Sequence, residues 1–105
     1  LFWPSLPLHQ RRALPAAPGV YVARRWFGWG RVAYVGMSTN LRRRWSGPTP
    51  HHRLRQLPWH TSISYQVCAG WTAEDLRRYE AWLIRRLRPA LNGTRVRRGW
   101  RVVWL

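Results

Sequence analysis

The sequence predicts an α+β domain in which a β-hairpin and a third strand alternate with helices. Three observations carry that expectation. Residues 20–25 and 31–36 are rich in β-formers and are separated by the glycine-bearing Trp26-Phe27-Gly28-Trp29-Gly30, the pattern of a hairpin. Ser62 to Cys68 alternates Ser62, Ser64 and Gln66 with Ile63, Tyr65 and Val67, a strand with one wet and one dry face. Thr72 followed three residues later by Asp75 opens a helix with a capping-box-like start, and Pro89 stops it after roughly 15 residues.

The remaining segments follow in chain order. Residues 1–19 read as an irregular arm, broken by Pro4 and Pro7 and ending in the turn-like Ala16-Ala17-Pro18-Gly19. After the hairpin, Ser38 or Thr39 can cap a helix running through Asn40, Leu41, Arg42, Arg43, Arg44 and Trp45, stopped by Gly47-Pro48. A short helical stretch from His51 to Leu57 ends before Pro58. The tail from Arg95 to Leu105 alternates basic and apolar residues and is expected to add a strand. The chain divides into an arm over 1–13, a domain over 14–93 and a basic, aromatic tail over 94–105.

Charge narrows the partner. The 19 basic residues are all arginine and face only three acidic ones, a net charge of +16 on 105 residues. Such a chain repels itself, and a polyanion is the natural counterweight. A GC-rich genome accounts for the missing lysine but not for the scarcity of Asp and Glu. Arginine suits phosphate because its planar fork donates two parallel hydrogen bonds and stays charged. Nucleic acid is therefore the leading partner class, DNA or RNA alike, with an anionic membrane surface second. Cys68 is the single cysteine, so neither a disulfide framework nor a thiolate zinc cluster exists, which fits a reducing cytoplasm. No apolar run reaches the length of a membrane span.

Several side chains are candidates for chemistry. A two-residue turn at Phe27-Gly28 or a four-residue turn over 26–29 sets Tyr21 directly opposite Tyr34, so two phenols share one face if no bulge intervenes. That pair also serves equally well as an ordinary aromatic contact in the sheet. On the helix after Thr72, Leu76, Leu83 and Leu87 form the apolar stripe, and Glu80 falls inside it. A carboxylate there is costly unless paired with an arginine or bound to a metal. Magnesium takes as few as one or two carboxylates, completing its shell with water and phosphate oxygens, so Glu80 alone can serve. Glu74 and Asp75 sit in the first turn, where the helix dipole favours anions. Arg42, Arg43 and Arg44 at a helix start offer a phosphate site or simply a solvated face. His51, His52 and His60, near Arg53 and Arg55, suit nucleic-acid contact, proton transfer or a plain loop, and their spacing matches no zinc finger. In the tail, Arg97 and Arg98 beside Trp100 can grip backbone and stack on bases.

The order Gly19-Val20-Tyr21, Tyr34-Val35-Gly36, Asn40-Leu41-Arg42-Arg43-Arg44, Glu80 and Asn92 resembles the GIY-YIG nuclease superfamily. The likeness covers roughly residues 14–93, with Arg44 ten residues after the second tyrosine and Asn92 twelve after Glu80. The resemblance implies a small three-stranded antiparallel sheet flanked by helices and an endonuclease that hydrolyses phosphodiester bonds with one Mg²⁺ or Mn²⁺. It implies that Tyr21 is the general base or orients water, that Tyr34 supports the nucleophile and the phosphate, and that Arg44 contacts the scissile phosphate. Glu80 would hold the metal and Asn92 would brace the site. Arg31 is a further candidate phosphate contact. Some relatives carry a lysine where this chain has Met37, so an arginine must replace that cation or activity is weak. The competing expectation is a GIY-YIG-fold module that binds nucleic acid without cutting it. Substrate structure, and whether the protein works as a monomer or a DNA-induced dimer, are left open by the sequence.

Overall fold

The computed structural model describes residues 3–89 and 91 with their side chains, and the backbone alone over 95–98 and 101–104. Its elements are β1 (Ser5–Pro7), β2 (Gly19–Arg24), β3 (Val32–Ser38), α1 (Leu41–Ser46), β4 (Ser62–Val67), α2 (Ala73–Leu87), β5 (Arg95–Arg98) and β6 (Arg101–Trp104). The α+β class with an antiparallel sheet flanked by helices is as expected. The sheet has four strands in the order β1-β4-β2-β3, with every neighbouring pair antiparallel.

The fourth strand comes from the segment read as an irregular arm. Ser5, Leu6 and Pro7 pair with Ser64, Ile63 and Ser62. Prolines argue against a central strand, but β1 lies on the sheet edge, where a missing N–H costs no ladder bond. A 3₁₀ segment over Leu8–Ala13 then carries Leu8 and Leu14 into the core. At the other end, the tail makes two strands, not one, and β5 and β6 form a separate two-stranded sheet.

Alternation along β2 divides the interior into two layers. Val20 and Val22 point to one side, where they meet Val35, Leu76 and Leu83 under α2. Tyr21 and Ala23 point to the other, where they meet Leu14, Leu41, Trp45 and Ile63 under α1 and the arm. β2 is thus buried on both faces. Cys68 is a buried free thiol in the α2 layer.

Helix α2 matches its sequence signature. Thr72 accepts from the Asp75 amide and the Asp75 carboxylate accepts from the Thr72 amide, a reciprocal cap; Arg88 ends the helix in a left-handed conformation just before Pro89. The cap of α1 differs from expectation. Asn40 is the N-cap, its side chain accepting from the Arg43 amide, while Ser38 Oγ donates to the Asn40 carbonyl. The stretch expected to be helical from His51 to Leu57 is a single 3₁₀ turn over Leu54–Gln56. No helix among the described residues is long and apolar enough to cross a membrane.

Candidate active site

The hairpin brings the two tyrosines together by a different register from the expected one. Tyr21 lies opposite Gly36, and Tyr34 lies opposite Ala23. The turn over residues 26–30 is longer than either turn considered, with left-handed backbone at Trp26, Phe27 and Gly28. A bulge then skips Ala33, since Ala23 pairs with Tyr34 and Arg24 with Val32. The bulge puts Ala33 and Tyr34 on the same side of the sheet, with Tyr21. Tyr21 and Tyr34 are therefore diagonal neighbours, stacked with centroids 6.3 Å apart and planes inclined by 18°. The carbonyl of the extra residue is used as well: Ala33 accepts from the Leu91 amide at 2.7 Å, which ties down the chain just beyond α2.

The motif glycines have steric reasons. A Cβ on Gly36 would collide with the Tyr21 ring and hydroxyl, so a glycine opposite Tyr21 lets the phenol lie flat across β3. A Cβ on Gly19 would collide with the Gln66 carbonyl of β4.

Glu80 is half-buried on the face of α2 toward β3, and its carboxylate accepts from the Met37 amide. Burial pushes its pKa above the ordinary glutamate value, against the opposing pull of the Met37 amide and of Arg44 and Arg77. Among the described residues the one ion pair is Arg78–Glu74 on the surface, so Glu80 is not neutralised by a contacting guanidinium. Tyr21 is buried and its pKa is raised, first by burial and then by Tyr34; Arg44 works the other way by donating a hydrogen bond to it and by its charge. Burial and the Glu80 charge likewise raise Tyr34, with Arg44 and Arg53 opposing. Arg44 acts on both phenols and on Glu80, and Glu80 acts on both phenols, which gathers these four side chains into one electrostatic unit. Beside Arg44 a polar cleft of about 220 Å³ opens between Ser38, Thr39, Asn40, Arg43, Arg44 and Thr49.

The chain and its fold are similar to known proteins. UvrABC system protein C of Rhodospirillum rubrum is 36% identical over 84 residues, which are 77% of this chain and 13% of that protein. A point mutant of the GIY-YIG N-terminal endonuclease domain of UvrC from Thermotoga maritima, bound to its catalytic divalent cation, superposes with a TM-score of 0.64 at 22% identity, covering 85% of this chain and 93% of that one. The magnesium-bound domain gives 0.56 at 22% identity, over 79% and 92%. No family model matches the chain. The chain has the GIY-YIG fold. The resemblance read from the motif order is thus joined by a shared architecture, and the chain spans about an eighth of the curated relative it matches.

Within the GIY-YIG frame the other expected residues separate. Met37, in place of a lysine, has its side chain against the α2 layer and offers Glu80 only an amide. Asn92 lies outside the described residues, as do the side chains of Arg97 and Arg98. The amino end of α1 is not an open phosphate cradle: the amides of Leu41 and Arg42 donate to the carbonyls of Ala17 and Pro15, and that of Arg43 to Asn40. Arg42 and Arg43 remain exposed, although Arg42 Nε also holds the Leu14 carbonyl at 2.8 Å. Arg31 is exposed beside Arg24, Arg86 and Arg88 on a cleft of about 450 Å³.

His51 and Arg53, expected at the nucleic-acid surface, are buried instead. His51 is 2% exposed, stacked on Trp45 at 4.4 Å and set edge-on to Tyr34 at 4.7 Å and to Tyr21 at 5.6 Å. Its Nδ1 accepts from the Arg53 amide, so the neutral ring carries its proton on Nε2, a buried atom without a hydrogen-bond partner. Burial and the charges of Arg44, His52 and Arg53 push its pKa down to about 3. Arg53 is tied to Gln56 Oε1 and to the Leu91 carbonyl. Only His52 of this trio reaches solvent. Its Nδ1 meets Arg44 Nη2 at 3.2 Å, and burial, then Arg44, lowers its pKa. The roof that His51 builds over the tyrosines had no sequence signal, because it depends on how residues 47–61 fold back.

Proposed function

We propose that this domain is a divalent-metal-dependent endonuclease acting on DNA. The observation that supports it best is Glu80: a half-buried carboxylate without an ion-pair partner among the described residues, sharing one field with two phenols and Arg44. Among the described residues no group of three or more His, Cys, Asp and Glu side chains could enclose a metal. One carboxylate with water and phosphate oxygens fits magnesium or manganese, the hard, oxygen-loving ions, and fits zinc poorly. The divalent cation reported for the UvrC domain of similar fold supports the same reading.

In this mechanism Glu80 would hold the ion, which when bound would offset phosphate charge and acidify water. Tyr21 and Tyr34 orient a water for attack on phosphorus. As the water oxygen bonds to phosphorus, its proton passes to the Oη of the Tyr21 phenolate, the bond to the leaving ribose oxygen breaks, and that oxygen takes a proton from solvent. A phenol with its pKa near 10 or higher is a poor base, so the hydrogen bond and the positive charge of Arg44 have to favour the phenolate. Arg44 donates to the phosphate oxygens as their charge grows, and Asn92 braces the site.

Met37 supports a second reading, a binding module with weak or no cutting. Cleavage assays on hairpin, flap, junction, duplex and single-stranded DNA, with RNA in parallel, separate the two. The nuclease gives nicked or cut product with Mg²⁺ or Mn²⁺ that a chelator suppresses. The module gives only binding that falls steeply with salt.

A further inference from the structure

The tip of the β2–β3 hairpin carries a second feature that the cutting site does not use. Four large aromatic side chains are exposed there together: Trp29 at 92%, Trp59 at 74%, Trp26 at 62% and Phe27 at 52%. Three of them, Trp26, Phe27 and Trp59, are held in place. Trp26 stacks flat on His60 with centroids 4.0 Å apart and planes 6° apart, and Phe27 packs edge-on against Trp59 at 5.5 Å. His60 fixes the tip twice more, its Nδ1 accepting from the Trp26 amide at 3.0 Å and its carbonyl from the Phe27 amide at 2.7 Å. The backbone of Trp26 and Phe27 is left-handed, φ 55° and 54°, which a side-chain-bearing residue adopts only at a cost. A strained turn that keeps its aromatic rings in water is arranged for a ligand, not for the core.

The surroundings say what kind. Arg24 and Arg31 flank the turn, Arg24 reaching the Gly30 carbonyl, and Arg55 is exposed in the short 3₁₀ turn before Trp59. All three acidic residues of the chain lie on α2. The segment 51–61 joins the tip to the cutting site: His51 covers Tyr21 and Tyr34 at one end, and His60 stacks on Trp26 at the other. Trp29 is five residues before Tyr34, so the chain between them spans at most roughly 18 Å.

We propose that this tip is a stacking platform for unpaired bases of a nucleic-acid strand whose phosphates meet Arg24 and Arg31. Rigid aromatic faces bordered by guanidinium groups are how single strands are held without sequence preference. The inference deepens the nuclease reading, on which it rests for its partner, and it implies a substrate with unpaired bases near the cut, such as a bubble or a flap.

The test is binding, so it does not depend on cutting. Anisotropy titrations with labelled oligothymidylate of about 12 nucleotides and with a blunt duplex compare wild type, Trp29→Ala and Trp29→Ala/Trp59→Ala without metal. The side chain of Trp29 is almost wholly in solvent, so its single variant keeps the fold. Each stacked base is worth roughly five- to 150-fold in affinity. The double variant should lose at least about tenfold on the single strand and under about twofold on the duplex, and oligothymidylate should quench wild-type tryptophan fluorescence. Equal losses on both DNAs, or no loss on either, would overturn the platform. So would intact single-strand binding with lost binding to phosphatidylcholine–phosphatidylserine vesicles, which would make the tip a membrane contact. A selective single-strand loss in a protein that cuts nothing keeps the platform and removes the nuclease; cutting without that loss does the reverse.

Discussion

The two sides of the sheet are built from different chemistry. Under α2, Val20, Val22, Val35, Leu76 and Leu83 form an aliphatic layer with Cys68 as a small buried thiol. Under α1 and the 47–61 segment, Tyr21, Tyr34, Trp45 and His51 make an aromatic layer. The buried polar atoms left without partners, among the described residues, are Arg25 Nε, Trp45 Nε1, His51 Nε2, Arg53 Nε and Thr61 Oγ1; none belongs to the α2 layer. An unsatisfied buried donor costs about 1–3 kcal/mol. The aliphatic side thus supplies stability and the aromatic side gives some of it up, as expected of a layer that has to hold two phenols and an arginine in one place.

Truncation on the two sides should therefore have opposite signatures. Leu83→Ala should cost about 2–5 kcal/mol in urea unfolding while leaving the cutting rate unchanged below its lowered melting temperature. Arg44→Ala should do the reverse, losing roughly 10²–10³-fold in single-turnover cutting with little change in the unfolding midpoint. Tyr21→Phe should lower cutting by about 10²-fold, again with the fold intact. If Leu83→Ala silences cutting in the folded protein, or Tyr21→Phe unfolds it, the division of labour is wrong.

A further effect is a pH dependence on the aromatic side. His51 has its folded pKa held at about 3, below the ordinary histidine value of 6.5, so the unfolded chain binds its proton first as pH falls. Its contribution is present above about 6.5 and is lost progressively as pH falls toward about 3. His51→Phe should flatten that part of the stability profile in thermal melts across the range. An unchanged slope would mean that His51 is not held neutral by its cage.

Much of this contrast was legible in the sequence, and the gaps have physical causes. Helix α2 was readable because its cap is local: Thr72 and Asp75 satisfy each other within one turn. The position of Glu80 inside the apolar stripe followed from helical periodicity alone. The hairpin was readable, but its register was not, because the long turn and the Ala33 bulge are set by packing against His60 and Leu91. Strand β1 was hidden by Pro4 and Pro7, which an edge position tolerates. The burial of His51 and Arg53 was invisible, since it depends on contacts with Trp45 and Leu91 brought in from elsewhere in the chain.

The most direct measurement of the central claim is single-turnover cleavage by Glu80→Ala beside wild type, with DNA affinity measured on the same samples. The account predicts unchanged affinity and cutting reduced to the chelated wild-type background, in Mg²⁺ and Mn²⁺ alike. A Glu80→Ala protein that still cuts at the wild-type rate would contradict it, and the carboxylate would then have no part in the chemistry.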